Sequence, residues 1–135
     1  MPVRIRYKIE ISISSTPAEE RDLGNVKYEI VTDKQGEGGG WKTLVAAGAT
    51  DVQIPLDSIA DVRFLALRTT VKDPNQTPSD IIVKFNSAMG EAHTIVPLQD
   101  IKEGHFLIST EGITSLYASN PGAVDMEMTI LAAGD

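Results

Sequence analysis

Two histidines (His93 and His105), a glycine-rich run closing on Lys42-Thr43, and nineteen Asp and Glu residues are the groups in this 135-residue chain that could do chemistry. A zinc site needs three or four ligands, and an acid/base couple needs a partner within hydrogen-bond reach. Each histidine sits in an apolar alternating segment with no further ligand at a readable spacing, so a structural role is expected for both. Glycosidases and calcium loops draw on carboxylates, but here the acids fall singly at the ends of apolar segments, as with Asp33, Asp57, Asp73, Asp80 and Asp100. That is the spacing of solvated turn residues. No D-x-[DN]-x-[DN]-G run occurs, which leaves residues 73–80 as the one stretch where a loop-formed Ca²⁺ site stays open. The run Gly36-Glu37-Gly38-Gly39-Gly40-Trp41-Lys42-Thr43 ends like a phosphate loop, yet Trp41 separates the glycines from the lysine and a β-like segment follows where a P-loop opens a helix. There is no G-x-S-x-G elbow. With no cysteine there is no thiolate nucleophile, Cys-ligated zinc or disulfide. The expectation is a non-enzymatic protein with no cofactor and no metal.

The elements that would have to position any site are strands. Val3, Ile5, Tyr7, Ile9, Ile11 and Ile13 alternate with Arg4, Arg6, Lys8, Glu10, Ser12 and Ser14, a period of two that puts one oily and one wet face on a long strand. Thr16-Pro17-Ala18-Glu19 has the order of a helix N-cap box, predicting one helical turn to about Asp22 that Gly24-Asn25 ends. Val26, Tyr28 and Ile30 resume the alternation. Residues 33–40 hold four glycines in five positions and read as a flexible loop, because ordering glycine costs the most backbone entropy. Short apolar segments then recur at 41–46, 50–56, 62–70, 81–85, 92–98, 105–109, 113–117 and 124–130. Polar turns separate them, among them the two-proline loop 71–80, Glu111-Gly112 and Ser119-Asn120-Pro121-Gly122. Such spacing leaves no room for crossover helices. The expected fold is one all-β domain over residues 1–135, an antiparallel, jelly-roll-like β-sandwich of nine or ten strands with at most one or two short helical turns.

A net charge of −7 argues against binding a phosphate backbone, and the opening residues resemble neither a signal peptide nor a membrane span. Neither nucleic acid nor membrane is expected as a partner. The possible interaction residues are Arg4, Arg6, Lys8 and Trp41. The three cations form a basic row on the wet face of the first strand, suited either to acidic groups on a neighbouring copy or to guarding an exposed edge. Trp41 beside the glycines is placed to stack on a sugar or fill a partner's pocket, or to plug the edge of the core.

From Trp41 onward the order of elements resembles small virion structural proteins of tailed bacteriophages. The resemblance rests on residues 44–56 (LVAAGATDVQIPL), 62–69 (VRFLALRT) and 112–128. The last stretch contains the I-T-x-L-x-x-x-N-P strand and turn at Ile113-Thr114 to Asn120-Pro121, followed by a closing strand and the Leu131-Ala132-Ala133-Gly134 tail. The resemblance implies a β-sandwich that binds repeated sites on a capsid or tail, with a major capsid or tail protein as partner, and capsid decoration is the first expectation for this chain. It further implies a symmetric homo-oligomer, a trimer being favoured, made in the host cytoplasm and located in the virion. It supplies no catalytic residue. The alternative is a carbohydrate-binding or receptor-binding module of a tail, using Trp41 with Tyr28, Tyr117 or loop carboxylates. Seven aromatic residues provide poorly for such a stacking platform.

Overall fold

A computed structural model describes the backbone over residues 4–13, 21–31, 37–56 and 59–134, and the side chains from Trp41 onward within those segments. Ten strands follow in order: β1 (Arg4–Ile13), β2 (Arg21–Val31), β3 (Glu37–Val45), β4 (Val52–Ile54), β5 (Val62–Val71), β6 (Ile81–Phe85), β7 (His93–Ile95), β8 (Glu103–Ile113), β9 (Leu116–Ser119) and β10 (Met126–Gly134). No helix occurs among the described residues. β1 and β2 form a two-stranded sheet of their own, and the other eight make two four-stranded sheets, ordered β3-β10-β5-β8 and β4-β9-β6-β7. Every pairing is antiparallel, and the pairings nest: β3 with β10, β4 with β9, β5 with β8, β6 with β7.

The two-residue rhythm of the sequence becomes the core directly. On β10, Met126, Met128, Ile130 and Ala132 are buried and alternate with the more exposed Glu127, Thr129 and Leu131. Leu65 and Leu67 on β5 face the same way, and Ile81, Val83, Leu116 and Ala118 from the second sheet complete one cluster drawn from both four-stranded sheets. Fully burying each such Leu, Ile, Val or Met side chain contributes about 1.5–3 kcal/mol. Because β10 pairs along its whole length with both β3 and β5, it is the strand on which the first sheet depends.

Three sequence expectations are corrected here. Arg21 and Asp22 belong to β2, so no helical turn reaches Asp22; residues 14–20, where the cap box falls, lie outside the described residues. Gly24-Asn25 also lies within β2, with Gly24 opposite Ile11 and Asn25 opposite Glu10. Of the loop expected over 33–40, residues 37–40 are strand, with Gly38, Gly39 and Gly40 opposite Ala133, Ala132 and Leu131. The entropy cost of ordering glycine is offset there by a full ladder to β10, while residues 33–36 lie outside the described residues. Finally, Glu111-Gly112 does not end a strand. β8 runs on to Ile113 through a register shift against β5, with Gly112 at a φ of 83° that favours glycine.

Thr69 is fully buried in the core, and its Oγ1 has no hydrogen-bond partner. An unsatisfied buried hydroxyl costs about 1–3 kcal/mol, whereas an apolar group of the same shape does not. Thr69→Val is therefore expected to raise stability by about 1 kcal/mol, read as a higher urea midpoint at unchanged slope.

Candidate interaction surface

The clearest unburied apolar surface lies in the connection from β7 to β8. Val96, Leu98 and Ile101 are 61%, 63% and 57% exposed within six residues of chain. The segment is nonetheless tightly held. Pro97 is buried and anchors it, and β7 stops short of it, since proline has no N–H to donate to a ladder. The Leu98 amide donates to the Glu103 carbonyl at 2.8 Å, and the Lys102 amide donates to the Leu98 carbonyl at 2.7 Å. Lys102 takes a φ of 57°, which costs a non-glycine residue of order 1 kcal/mol and persists only where the surroundings over-determine it. Those surroundings include its own ammonium, which donates to the Pro74 carbonyl and ties this loop to residues 72–80. Gly104 permits the close approach. A Cβ there would meet Ile95 Cγ2 at 2.7 Å, Thr69 Oγ1 at 2.8 Å and the Pro97 Cα at 3.3 Å. Three oily side chains are thus presented to water on a pre-organised loop, a surface available for contact.

The same end of the molecule is fastened by Asn120, which is fully buried. Its Nδ2 donates to the Val45 carbonyl at 2.9 Å and the Val124 carbonyl at 2.8 Å, and its Oδ1 accepts from Ser79 Oγ at 2.8 Å and the Gly122 amide at 3.1 Å. Its backbone donates to the Ala49 carbonyl and accepts from the Gly48 amide, each at 2.8 Å. One residue, through its side chain and its backbone, therefore joins the end of β3 and the β3–β4, β5–β6 and β9–β10 connections. In the sequence this residue reads as turn chemistry and as the asparagine of the I-T-x-L-x-x-x-N-P stretch. The signal that marks it is the Asn-Pro-Gly order, in which an amide precedes two residues that cannot continue a strand.

The residues singled out by sequence fall in different places. Arg4, Arg6 and Lys8 occupy alternate positions on β1, opposite Val31, Glu29 and Lys27 of β2. Trp41 lies on β3 opposite Ile130, half-buried and packed against the core cluster, on the face turned away from the exposed Lys42 and Leu44. His93 packs between Phe85 and Phe106, with ring centroids 5.6 and 5.7 Å away, where the β7 and β8 edges meet. His105 is exposed on β8 with its Nε2 3.3 Å from Glu103 Oε2. In the 72–80 loop, Asp73 Oδ1 accepts from the Asn75 amide at 3.0 Å, an ordinary turn contact. Among the described residues no three His, Asp or Glu side chains gather as a metal would require, and no helix is long and apolar enough to cross a membrane. A shallow cleft of about 410 Å³ between Gln53–Leu56, Ile59 and Thr114–Ser115 is lined by apolar, amide and hydroxyl groups. Among the described residues these lining groups can hold a small surface group, and none of them titrates near neutral pH.

Comparison with known proteins returns no matching family model, no matching curated protein and no matching solved structure.

Proposed function

We propose that this chain is a non-enzymatic virion structural protein that binds repeated sites on a tailed-phage particle, most directly as capsid decoration, and that it does so as a symmetric homo-oligomer. The observation that carries the reading is the rigid loop bearing Val96, Leu98 and Ile101, an apolar contact surface built on a scaffold. The nested strand pairing supports it too. Eight strands paired first with last, second with seventh and so inward suit a jelly-roll sandwich, an architecture common in viral capsid and lectin domains. The resemblance of residues 113–121 and 131–134 to virion proteins points the same way, and Asn120 gives that motif a physical reason. Each contact of a few apolar side chains is weak, and a symmetric array of sites multiplies it into stable attachment. Counting copies of the chain in purified particles tests the proposal, and the expected answer is many per particle.

A further inference from the structure

We infer that two copies of this chain join edge to edge through β3, which pairs antiparallel with β3 of the second copy about a two-fold axis at Trp41, so that two four-stranded sheets become one of eight strands. β3 is the outermost strand of its sheet, and among the described residues it pairs with β10 alone. Its ladder to β10 runs from Glu37 to Val45 with no register shift. The nine-residue strand therefore presents an unbroken row of main-chain groups on its other side, the template that a further strand requires. Among the described turns and loops no backbone group bonds to β3, and at its last residue the Val45 carbonyl accepts from the Asn120 side chain.

The remaining edges of the two four-stranded sheets offer less. β4 and β7 are three residues each. β8 is bridged by Leu98 at Glu103 and shifts register against β5 between Ser109 and Ile113. Short, bridged or bulged strands are the usual defences of an edge, and β3 has none of them. Its one guard is Lys42, which lies exposed on the outer face.

The residues of β3 select the register. A continuous sheet needs directly opposed residues to share a face, so only every second register is open. An axis at Lys42 sets that lysine against its own copy, a like-charge pair that destabilises. An axis at Gly40 or Thr43 leaves part of both strands unpaired. Centred on Trp41, the whole strand pairs: Lys42 lies opposite Gly40, Thr43 opposite Gly39, Leu44 opposite Gly38 and Val45 opposite Glu37 of the second copy. Leu44, 46% exposed in the single chain, gains a glycine backbone to lie against. Lys42 has room beside its glycine to keep its ammonium in water. Trp41, half-buried at the edge of the core, meets its counterpart on the inner face, where a cross-strand aromatic pair adds to the ladder.

A second copy is the occupant because the strand complements itself: its bulky half, Lys42–Val45, matches the small half that holds Gly38, Gly39 and Gly40 when one strand is turned end for end. The pairing supplies about eight main-chain hydrogen bonds, the source of affinity in strand addition. It is a closed two-fold contact, and it makes the assembly a dimer or an even multiple where the resemblance to virion proteins implies a trimer.

Light scattering of the purified chain gives the first reading: twice the 14.5 kDa chain mass, or an even multiple of it, is expected, and a single chain or an odd number of chains overturns the inference. The register is read by cross-linking, which the absence of cysteine makes direct. Lys42→Cys and Gly40→Cys are prepared separately, mixed and mildly oxidised. The disulfide joining these two variants is expected several-fold more often than one joining Lys42→Cys to Ser109→Cys on the opposite edge strand of the same sheet. A yield no higher than that control also overturns it. Charge gives a readout that misfolding would not imitate. Gly40→Lys sets a lysine opposite Lys42 of the second copy and should release single chains, which mixing with Lys42→Glu should draw back into pairs. Pairs that survive Gly40→Lys, or a mixture that stays apart, count against the inference. It deepens the homo-oligomer part of the proposed function and needs no particle. Pairing by a chain that particles lack would defeat that function alone, and a particle protein that stays single would defeat the pairing alone.

Discussion

Replacing Asn120 with alanine is expected to lower stability by about 3–5 kcal/mol. The side chain makes four hydrogen bonds, each contributing roughly 1 kcal/mol net. The Val45 and Val124 carbonyls, the Ser79 hydroxyl and the Gly122 amide would all lose their partner at a buried position, which adds a desolvation cost. For a domain of this size the loss corresponds to a melting temperature lower by roughly 10–20 °C, measurable by calorimetry or circular dichroism. Asn120→Asp should be no better, since a carboxylate cannot donate to those two carbonyls. Asn86 is the internal comparison: it also bridges two segments, donating to the Gly112 carbonyl at 2.7 Å and accepting from the Thr114 amide at 2.8 Å, but it is exposed. Water replaces its partners, so Asn86→Ala should cost less, about 2 kcal/mol, part of it for placing alanine at a φ of 67°.

The second large effect is on binding and leaves the fold intact. Leu98→Asp combined with Ile101→Asp should weaken association with particles at least 100-fold, about 2.7 kcal/mol or more, in a sedimentation assay with particles lacking the protein. Each substitution replaces an apolar contact with a charge that the interface would have to desolvate. Both positions are more than half exposed in the free chain, so the melting temperature should correspond to a stability change within about 0.5 kcal/mol. Undiminished binding by this variant would move the contact surface elsewhere on the molecule.

The strands were legible wherever one face is buried and the other wet. The alternation at residues 3–14, 62–70 and 124–130 marks β1, β5 and β10, because the pleat itself has that period. What escaped was decided by partners distant in sequence. Gly38–Gly40 reads as a loop by local entropy, and only the pairing with Leu131–Ala133 makes it strand. Glu111-Gly112 carries turn chemistry, and its place in β8 depends on the register shift against Val62–Phe64. The candidate surface escaped for a similar reason. Val96 and Leu98 are apolar residues at the end of the segment 92–98 and so look like buried strand positions, but they share the exposed side of Thr94 while Ile95 and Pro97 take the buried one. Trp41, conspicuous in sequence as the sole tryptophan, is half-buried against the core cluster.

Quantitative mass spectrometry of purified phage particles, with the major capsid protein as internal standard, addresses the central claim most directly. The account predicts the chain in tens to hundreds of copies per particle, in a fixed simple ratio to that protein. Its absence from particles, or a copy number of one or a few that bears no relation to the lattice, would contradict it.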